Sequence, residues 1–113
     1  MAIPHAAAGQ PVDVRPLGVA LRAARTVAIF KSEQLEVMRL VLLAGKSLPP
    51  HAVPGEITLQ CLEGSVQVMA GSGAETKTEV LSTGQLMYLA GGVVHSLLGV
   101  EDCSVLVTIV LRR

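Results

Sequence analysis

The chain has 113 residues, half of them hydrophobic, and its nine basic and nine acidic side chains cancel. This length is typical of one domain whose core needs neither disulfides nor a structural metal. The balanced charge, with no long run of Lys or Arg, argues against nucleic acid as a partner. One Phe, one Tyr and no Trp leave an aliphatic core rich in branched side chains, which favours strands.

The two cysteines, Cys61 and Cys103, lie in apolar stretches without a Cys-x-x-Cys spacing. This pattern indicates buried, unreactive thiols and neither a redox motif nor a disulfide framework. No N-terminal export signal and no apolar run of membrane-spanning length is present. We therefore expect a cytoplasmic protein without membrane contact.

The first sixteen residues contain three of the prolines and Gly9 and show little periodicity. They are interpreted as an N-terminal arm, and residues 17–113 as the single folded domain. His5 is expected to be solvated within the arm. Residues 17–24 have weak helical character, and residues 26–30 form a predicted short strand.

Residues 35–43 form a predicted strand that is apolar on both faces. A strand at the wall of a folded domain normally has one wet face, so we expect a second subunit to cover the outer sheet and predict a homodimer. Arg39 interrupts this strand. It is a candidate anion anchor inside a cavity, or a partner in an ion pair at a rim or interface.

Six more strands are predicted at residues 57–62, 65–70, 76–81, 85–90, 95–98 and 104–111. In total, roughly eight short strands are separated by turn signals at intervals of about 8 to 12 residues, which is typical of a sandwich or barrel. Closing the sheet removes exposed strand edges. The sequence therefore predicts an all-β, single-domain jelly-roll barrel.

Two segments share the outline of a glycine, five residues, a tight turn and a histidine. Residues 45–64 begin and end with glycine and contain His51, and residues 84–95 end with Gly91-Gly92-Val-Val-His95. Together they resemble the two conserved motifs of the cupin superfamily, over about residues 35–110. The resemblance implies a small jelly-roll barrel with both histidines in one pocket.

The resemblance also implies a metal site, but an incomplete one. His51 and His95 fall on two of the four cupin ligand positions, whereas Val53 stands where a second histidine is usual and Ile57 where a glutamate is usual. Two imidazoles alone make a weak site for a first-row divalent ion. We therefore expect no cofactor or a weakly bound divalent transition metal at His51 and His95.

Four other side chains near the two motifs carry potential donor atoms. Strand alternation turns Glu56 and Gln60 away from the face that carries Ile57, whereas Cys61 shares that face and Tyr88 is expected to reach inward. The candidate ligand-binding residues are His51, His95, Val53, Ile57, Tyr88 and Arg39.

Two functions are compatible with these residues. The first is a module that binds a small molecule in a largely apolar cavity near His51 and His95. The second is a metal-dependent cupin enzyme, of the dioxygenase or isomerase type, with a third ligand that the sequence does not reveal. No catalytic residue can be assigned.

Overall fold

The computed structural model describes residues 6–111, so the prediction for His5 lies outside the described residues. Within this part of the chain, the strands are β1 (Val27–Lys31), β2 (Leu35–Leu42), β3 (Ser47–His51), β4 (Ile57–Glu63), β5 (Ser65–Ala70), β6 (Lys77–Ser82), β7 (Leu86–Leu89), β8 (His95–Gly99) and β9 (Cys103–Val110). The helical segments are two 3-10 helices, Gly18–Ala23 and Gly73–Glu75. None of the helices found between residues 6 and 111 is long and apolar enough to span a membrane.

The strands form two antiparallel sheets, one in the order β1-β2-β9-β4-β7 and one in the order β3-β8-β5-β6. From β2 to β9 the chain passes from one sheet to the other after every strand except β5, which forms a hairpin with β6, and this jelly-roll pattern confirms the all-β jelly-roll prediction. The expected closure into a barrel is not seen, because the strands fall into two separate hydrogen-bonded sheets. The fold is therefore a two-layer sandwich.

Strand β3 is missing from the sequence prediction because it contains Pro49 and Pro50. Proline has no N–H for a strand ladder, so it is confined mainly to sheet edges and bulges. β3 satisfies both conditions: it is an edge strand, and its pairing with β8 shifts register between Leu48 and His51. This irregular edge strand carries His51 to a position opposite His95.

The core lies between the sheets and is aliphatic, as the composition predicts. In β4, Ile57, Leu59 and Cys61 face inward and are buried, whereas the intervening residues are only half-buried. Cys61 and Cys103 are free, fully buried thiols, and burial is the main reason that the pKa of Cys103 rises to about 12. A thiol with so high a pKa is unreactive at neutral pH, which agrees with the prediction of inert cysteines.

Residues 6–18, which we call the N-terminal segment, lie over the outer face of the five-stranded sheet. Its Ala6 N–H donates to Ile29 O at 2.8 Å, and the carbonyl of Arg15 accepts from the Arg39 guanidinium at 2.8 Å. Arg39 is only 6% exposed. The chain therefore covers part of the outer apolar face of β2 by itself, and the homodimer inferred from that face stays a prediction.

The Glu63 carboxylate fastens this segment to the sheet. It accepts hydrogen bonds from the backbone N–H groups of Leu17, at 2.9 Å, and Gly18, at 3.1 Å, and from the Ser104 hydroxyl. Burial by itself raises the pKa of Glu63, but these hydrogen bonds and the nearby Arg39 charge outweigh it and hold the pKa below its ordinary value of 4.5. Glu63 is therefore ionised at neutral pH while it holds the segment.

The substitution Glu63→Gln should destabilise the protein in a pH-dependent way. A carboxylate with a lowered folded-state pKa contributes stability above its unfolded pKa, and this contribution is lost as the pH falls through the folded value. We expect the variant to lose about 1.5 to 3 kcal/mol of unfolding free energy near neutral pH, the usual worth of a charged hydrogen bond. The loss should shrink below pH 4.5. Urea unfolding between pH 7 and pH 3 measures it.

Glu33→Gln is the matched control, because Glu33 is exposed in the turn between β1 and β2. Its unfolding free energy should follow the wild-type pH profile. An equal deficit of Glu63→Gln at every pH would show that the ionised carboxylate is not what holds the segment.

Candidate functional site

His51 and His95 come together at one end of the sandwich. His51 ends β3 and His95 begins β8, and the two residues are paired across the ladder. Their ring centroids are 4.4 Å apart with planes inclined by 54°. His95 is buried at 4% exposure, whereas His51 is exposed. The predicted meeting of the two histidines is therefore seen in the fold.

Each imidazole is oriented by a carbonyl two residues before it. His51 Nδ1 lies 3.3 Å from Pro49 O, and His95 Nδ1 lies 3.1 Å from Val93 O. A carbonyl oxygen only accepts hydrogen bonds, so Nδ1 carries the proton in both rings. In the neutral form of each ring, Nε2 is then the acceptor atom. These two orienting carbonyls could not be found from the sequence, since any residue type supplies one.

Two short loops cross this end of the sandwich side by side. Residues 52–56 connect His51 to the start of β4, and residues 90–94 connect the end of β7 to His95. The Gly92 N–H donates to Val53 O at 2.8 Å. A Cβ at Gly91 would lie 2.2 Å from Pro54 O, so only glycine permits this approach. The glycines of the second motif therefore lock the two histidine-bearing segments together.

The other sheet contributes mainly apolar side chains at this end, although Glu36 lies on the same face, across β9 from Ile57. Ile57 begins β4 and is paired with Leu89, the last residue of β7, and both are buried in the core. Val53 packs against the same core cluster. The two positions at which the cupin motif would supply metal ligands are thus occupied by hydrocarbon. A divalent ion here would lose hydration without gaining replacement donors.

The available donors do not fit a metal ion. Between residues 6 and 111, no group of three or more His, Cys, Asp or Glu side chains is arranged to hold one. Cys61, the thiol on the inward face of β4, is fully buried, and its Sγ hydrogen-bonds to the Glu63 and Gly64 carbonyls at 3.4 Å. Two imidazoles fall short of the three or four donors that a first-row ion needs.

Tyr88 does not join the histidines, contrary to the sequence expectation. It is paired with Thr58, between the inward-facing Ile57 and Leu59, so strand alternation places it on the outer face. Its side chain is 58% exposed, and its hydroxyl donates to Glu56 Oε1 at 2.6 Å. This hydrogen bond is the main cause of the raised pKa of Tyr88. Glu56, as expected, is not turned toward the core.

Arg39 also lies away from the histidine pair. It sits between Met38 and Leu40, two residues that pack in the core, and so faces the opposite side of β2. Its guanidinium is buried beneath the N-terminal segment. Neither sequence interpretation, an anion anchor in the cavity or a rim ion pair, describes this position, since its hydrogen-bond partner is the Arg15 carbonyl. Sequence parity alone could not decide this, because both faces of the strand are apolar.

Comparison with known proteins identifies the fold through structure alone. No protein-family model matches the sequence, and no curated protein matches it. Three solved structures illustrate the similarity. A conserved protein of unknown function from Streptococcus pyogenes is 17% identical, with a TM-score of 0.74 over 100% of this chain and 96% of the other.

The other two carry the family description. A cupin superfamily protein from Desulfitobacterium hafniense is 15% identical, with a TM-score of 0.73 over 89% of this chain and 94% of the other. An RmlC-like cupin protein from Desulfovibrio desulfuricans is 24% identical, with a TM-score of 0.70 over 89% of this chain and 96% of the other. Together with the two motifs, this similarity identifies the chain as a small protein with the cupin fold.

Proposed function

We propose that the end of the sandwich around His51 and His95 binds a small, largely apolar molecule that carries a hydrogen-bond donor. The observation that supports this most directly is the orientation of the rings, in which both Nδ1 atoms face carbonyls, so that Nε2 is the acceptor atom of each ring in its neutral form. A hydroxyl or phenol group is the natural partner of such acceptors. Ligand sites commonly combine a few oriented polar groups with apolar walls.

The apolar surroundings support a ligand that is mostly hydrocarbon. Val53, Ile57 and Leu89 lie at the same end of the fold and offer no polar side-chain atom. In the ladder, His95 also pairs with Ala70, whose small side chain limits crowding beside the ring. A ligand in this position would be oriented by the imidazoles and desolvated by the aliphatic groups.

This proposal requires no reaction. The metal-dependent enzyme that the sequence left open depends on a third ligand, and the described residues contain no cluster that supplies one. Binding through the Nε2 atoms of the two imidazoles needs only the geometry that is present. As a binding module, the protein is further proposed to act in the cytoplasm and as a homodimer.

Phenol, which combines an apolar ring with one donor, is a suitable probe. Its titration should shift the NMR signals of both imidazole rings, and His51→Phe should weaken binding roughly tenfold because an acceptor is lost while apolar surface is kept. Toluene, which lacks the donor, should bind the wild type and His51→Phe with similar affinity. Equal weakening of phenol and toluene would contradict the role of Nε2 as an acceptor.

Tyr88→Phe is the control for phenol binding. Tyr88 lies on the outer face and donates its hydroxyl to Glu56, so its loss should leave the phenol affinity unchanged. A large effect of Tyr88→Phe would locate the phenol site on the outer face of β7 and contradict the proposed position.

The double substitution Val53→His and Ile57→Glu should create metal affinity. Ile57 is 4% exposed, so a glutamate there is costly unless an ion pairs with it. We expect the double variant to unfold at a lower temperature than the wild type without metal and to be stabilised strongly by Ni²⁺. Stabilisation by about 2.7 kcal/mol is expected at a metal concentration one hundred times the dissociation constant.

Elemental analysis of protein grown with added metal provides the matching measurement. The wild type should contain far less than one transition-metal ion per chain, and the double variant close to one. The variant carrying Val53→Leu and Ile57→Gln controls for the disturbed packing and should gain no metal. A stoichiometric metal in the wild type that disappears in His51→Ala would overturn the proposed mode of binding.

A further inference from the structure

In the described part of the chain, the two sheets end in four edge strands, and three of these carry features that oppose the addition of another strand. The edges are β1 and β7 in one sheet and β3 and β6 in the other. Proline, charged side chains and bulges are usual protections of an edge. β3 contains Pro49 and Pro50, and β6 contains Lys77 and Glu79. β1 is bulged in its pairing with β2, and the N-terminal segment is hydrogen-bonded to it.

The fourth edge strand, β7, has no charge, no proline and no bulge. It comprises four residues, Leu86–Leu89, and its register with β4 is unbroken. The sequence contains no Asp, Glu, Lys or Arg between Glu79 and Glu101. Two side chains of the strand are largely exposed, Leu86 at 64% and Tyr88 at 58%. An accessible, uncharged and apolar edge of this kind is a place where sheets associate.

The hydrogen-bond pattern determines which backbone groups of β7 face the open side. The Cys61 N–H donates to Gln85 O at 2.9 Å, where β7 begins to pair with β4. Bonded and non-bonded pairs alternate along an antiparallel ladder, so the odd-numbered residues of β7 bond to β4, whereas Leu86 and Tyr88 turn their N–H and C=O groups outward. Between residues 6 and 111, no hydrogen bond outside the ladders involves the backbone of either residue. We call these two residues the open edge of β7.

The open edge of β7 fits a second copy of itself. In a symmetric antiparallel pair of β7 strands, a two-fold axis at Met87 places Leu86 opposite Tyr88 of the second copy, and the reverse pair forms by symmetry. The residues of each pair can then exchange both N–H···O bonds. An axis through Leu86 or Tyr88 would pair the other residue with Gly84 or Ala90, each of which already makes a backbone hydrogen bond within its own chain. Only the axis at Met87 uses both open residues.

The side chains at this edge are also compatible with a second copy. A two-fold axis brings a surface against itself, so like charges close to the axis would face one another. β7 carries no charge. Its pairing sets the exposed Leu86 side chain beside the exposed Tyr88 ring on the outer face, and such cross-strand pairs of an aliphatic and an aromatic side chain stabilise a sheet. The edge therefore favours self-association over a charged partner.

We propose that the open edge of β7 joins two copies of this chain, with the two β7 strands paired antiparallel about Met87 and the two five-stranded sheets made continuous. The proposal rests on the homodimer included in the proposed function and names its interface, but it does not depend on ligand binding at His51 and His95. The outer face of β2, the other surface considered for a dimer, is partly covered by the N-terminal segment.

Tyr88→Pro tests the pairing of the backbone. The Tyr88 N–H points away from β4, so proline at this position keeps the β4–β7 ladder but removes a donor that the second copy needs. Sedimentation equilibrium should show a wild-type dimer at micromolar concentration, and Tyr88→Pro should raise its dissociation constant by about tenfold or more. Tyr88→Phe is the matched control, because it keeps the N–H and the ring; it should dimerise like the wild type. Circular dichroism checks that both variants fold.

Two double variants test the register of the proposed pair. Tyr88→Lys combined with Leu86→Glu places opposite charges across the interface, whereas Tyr88→Lys combined with Leu86→Lys places like charges there. The first should dimerise with a dissociation constant about tenfold or more below that of the second, and added salt should reduce the difference.

His51→Ala separates this proposal from the function proposed for the histidines. It should dimerise like the wild type whether or not it binds phenol, so failure of the histidine site leaves the interface standing. A wild type that stays monomeric throughout the micromolar range would overturn the proposal. A dimer that is insensitive to Tyr88→Pro, or equally stable in the two double variants, would place the contact elsewhere and would overturn it as well.

Discussion

The register of β9 between β2 and β4 determines which side chains enter the core. Val105 and Val107 face inward with Leu40, Met38, Cys61 and Leu59, whereas Leu106 faces outward with Arg39 and Gln60. A slip of β9 by one residue would turn Val105 and Val107 outward and would place Ser104, Leu106 and Thr108 on the inner face. Hydrophobic burial on the inner face and the hydrogen bonds of two ladders therefore fix one register.

The same register also determines which side chains lie on each face of the five-stranded sheet. The inner face ends in the apolar pair of Ile57 and Leu89, opposite the sheet that carries the two histidines. The outer face carries Arg39 and Leu106 beneath the N-terminal segment, and Tyr88 farther along. Because strands alternate their side chains, residues adjacent in sequence contribute to sites on opposite sides of the sheet. The histidine site and the contacts of Arg39 thus lie on opposite faces of one sheet.

At the histidine site, the backbone contacts that hold the two loops together do not involve the side chains at positions 53 and 57. The loops at residues 52–56 and 90–94 are joined by the hydrogen bond from Gly92 to Val53, which uses backbone atoms only. The side chains at positions 53 and 57 can therefore change from donors to hydrocarbon without moving the histidines. The result is a pair of oriented imidazoles beside a mainly apolar layer.

The sequence alone determined the strand content, the aliphatic core and the buried cysteines, and its resemblance to the cupin motifs implied the meeting of His51 with His95. The strands and the core follow from alternating hydrophobicity and turn residues. The histidine pair follows from the spacing of residues within the two motifs. Only the tertiary structure decided the positions of Arg39 and Tyr88, the proline-containing strand β3 and the covering of part of β2 by residues 6–15. Each of these depends on contacts between segments far apart in the chain, and a strand that is apolar on both faces does not reveal which face a neighbouring segment will cover.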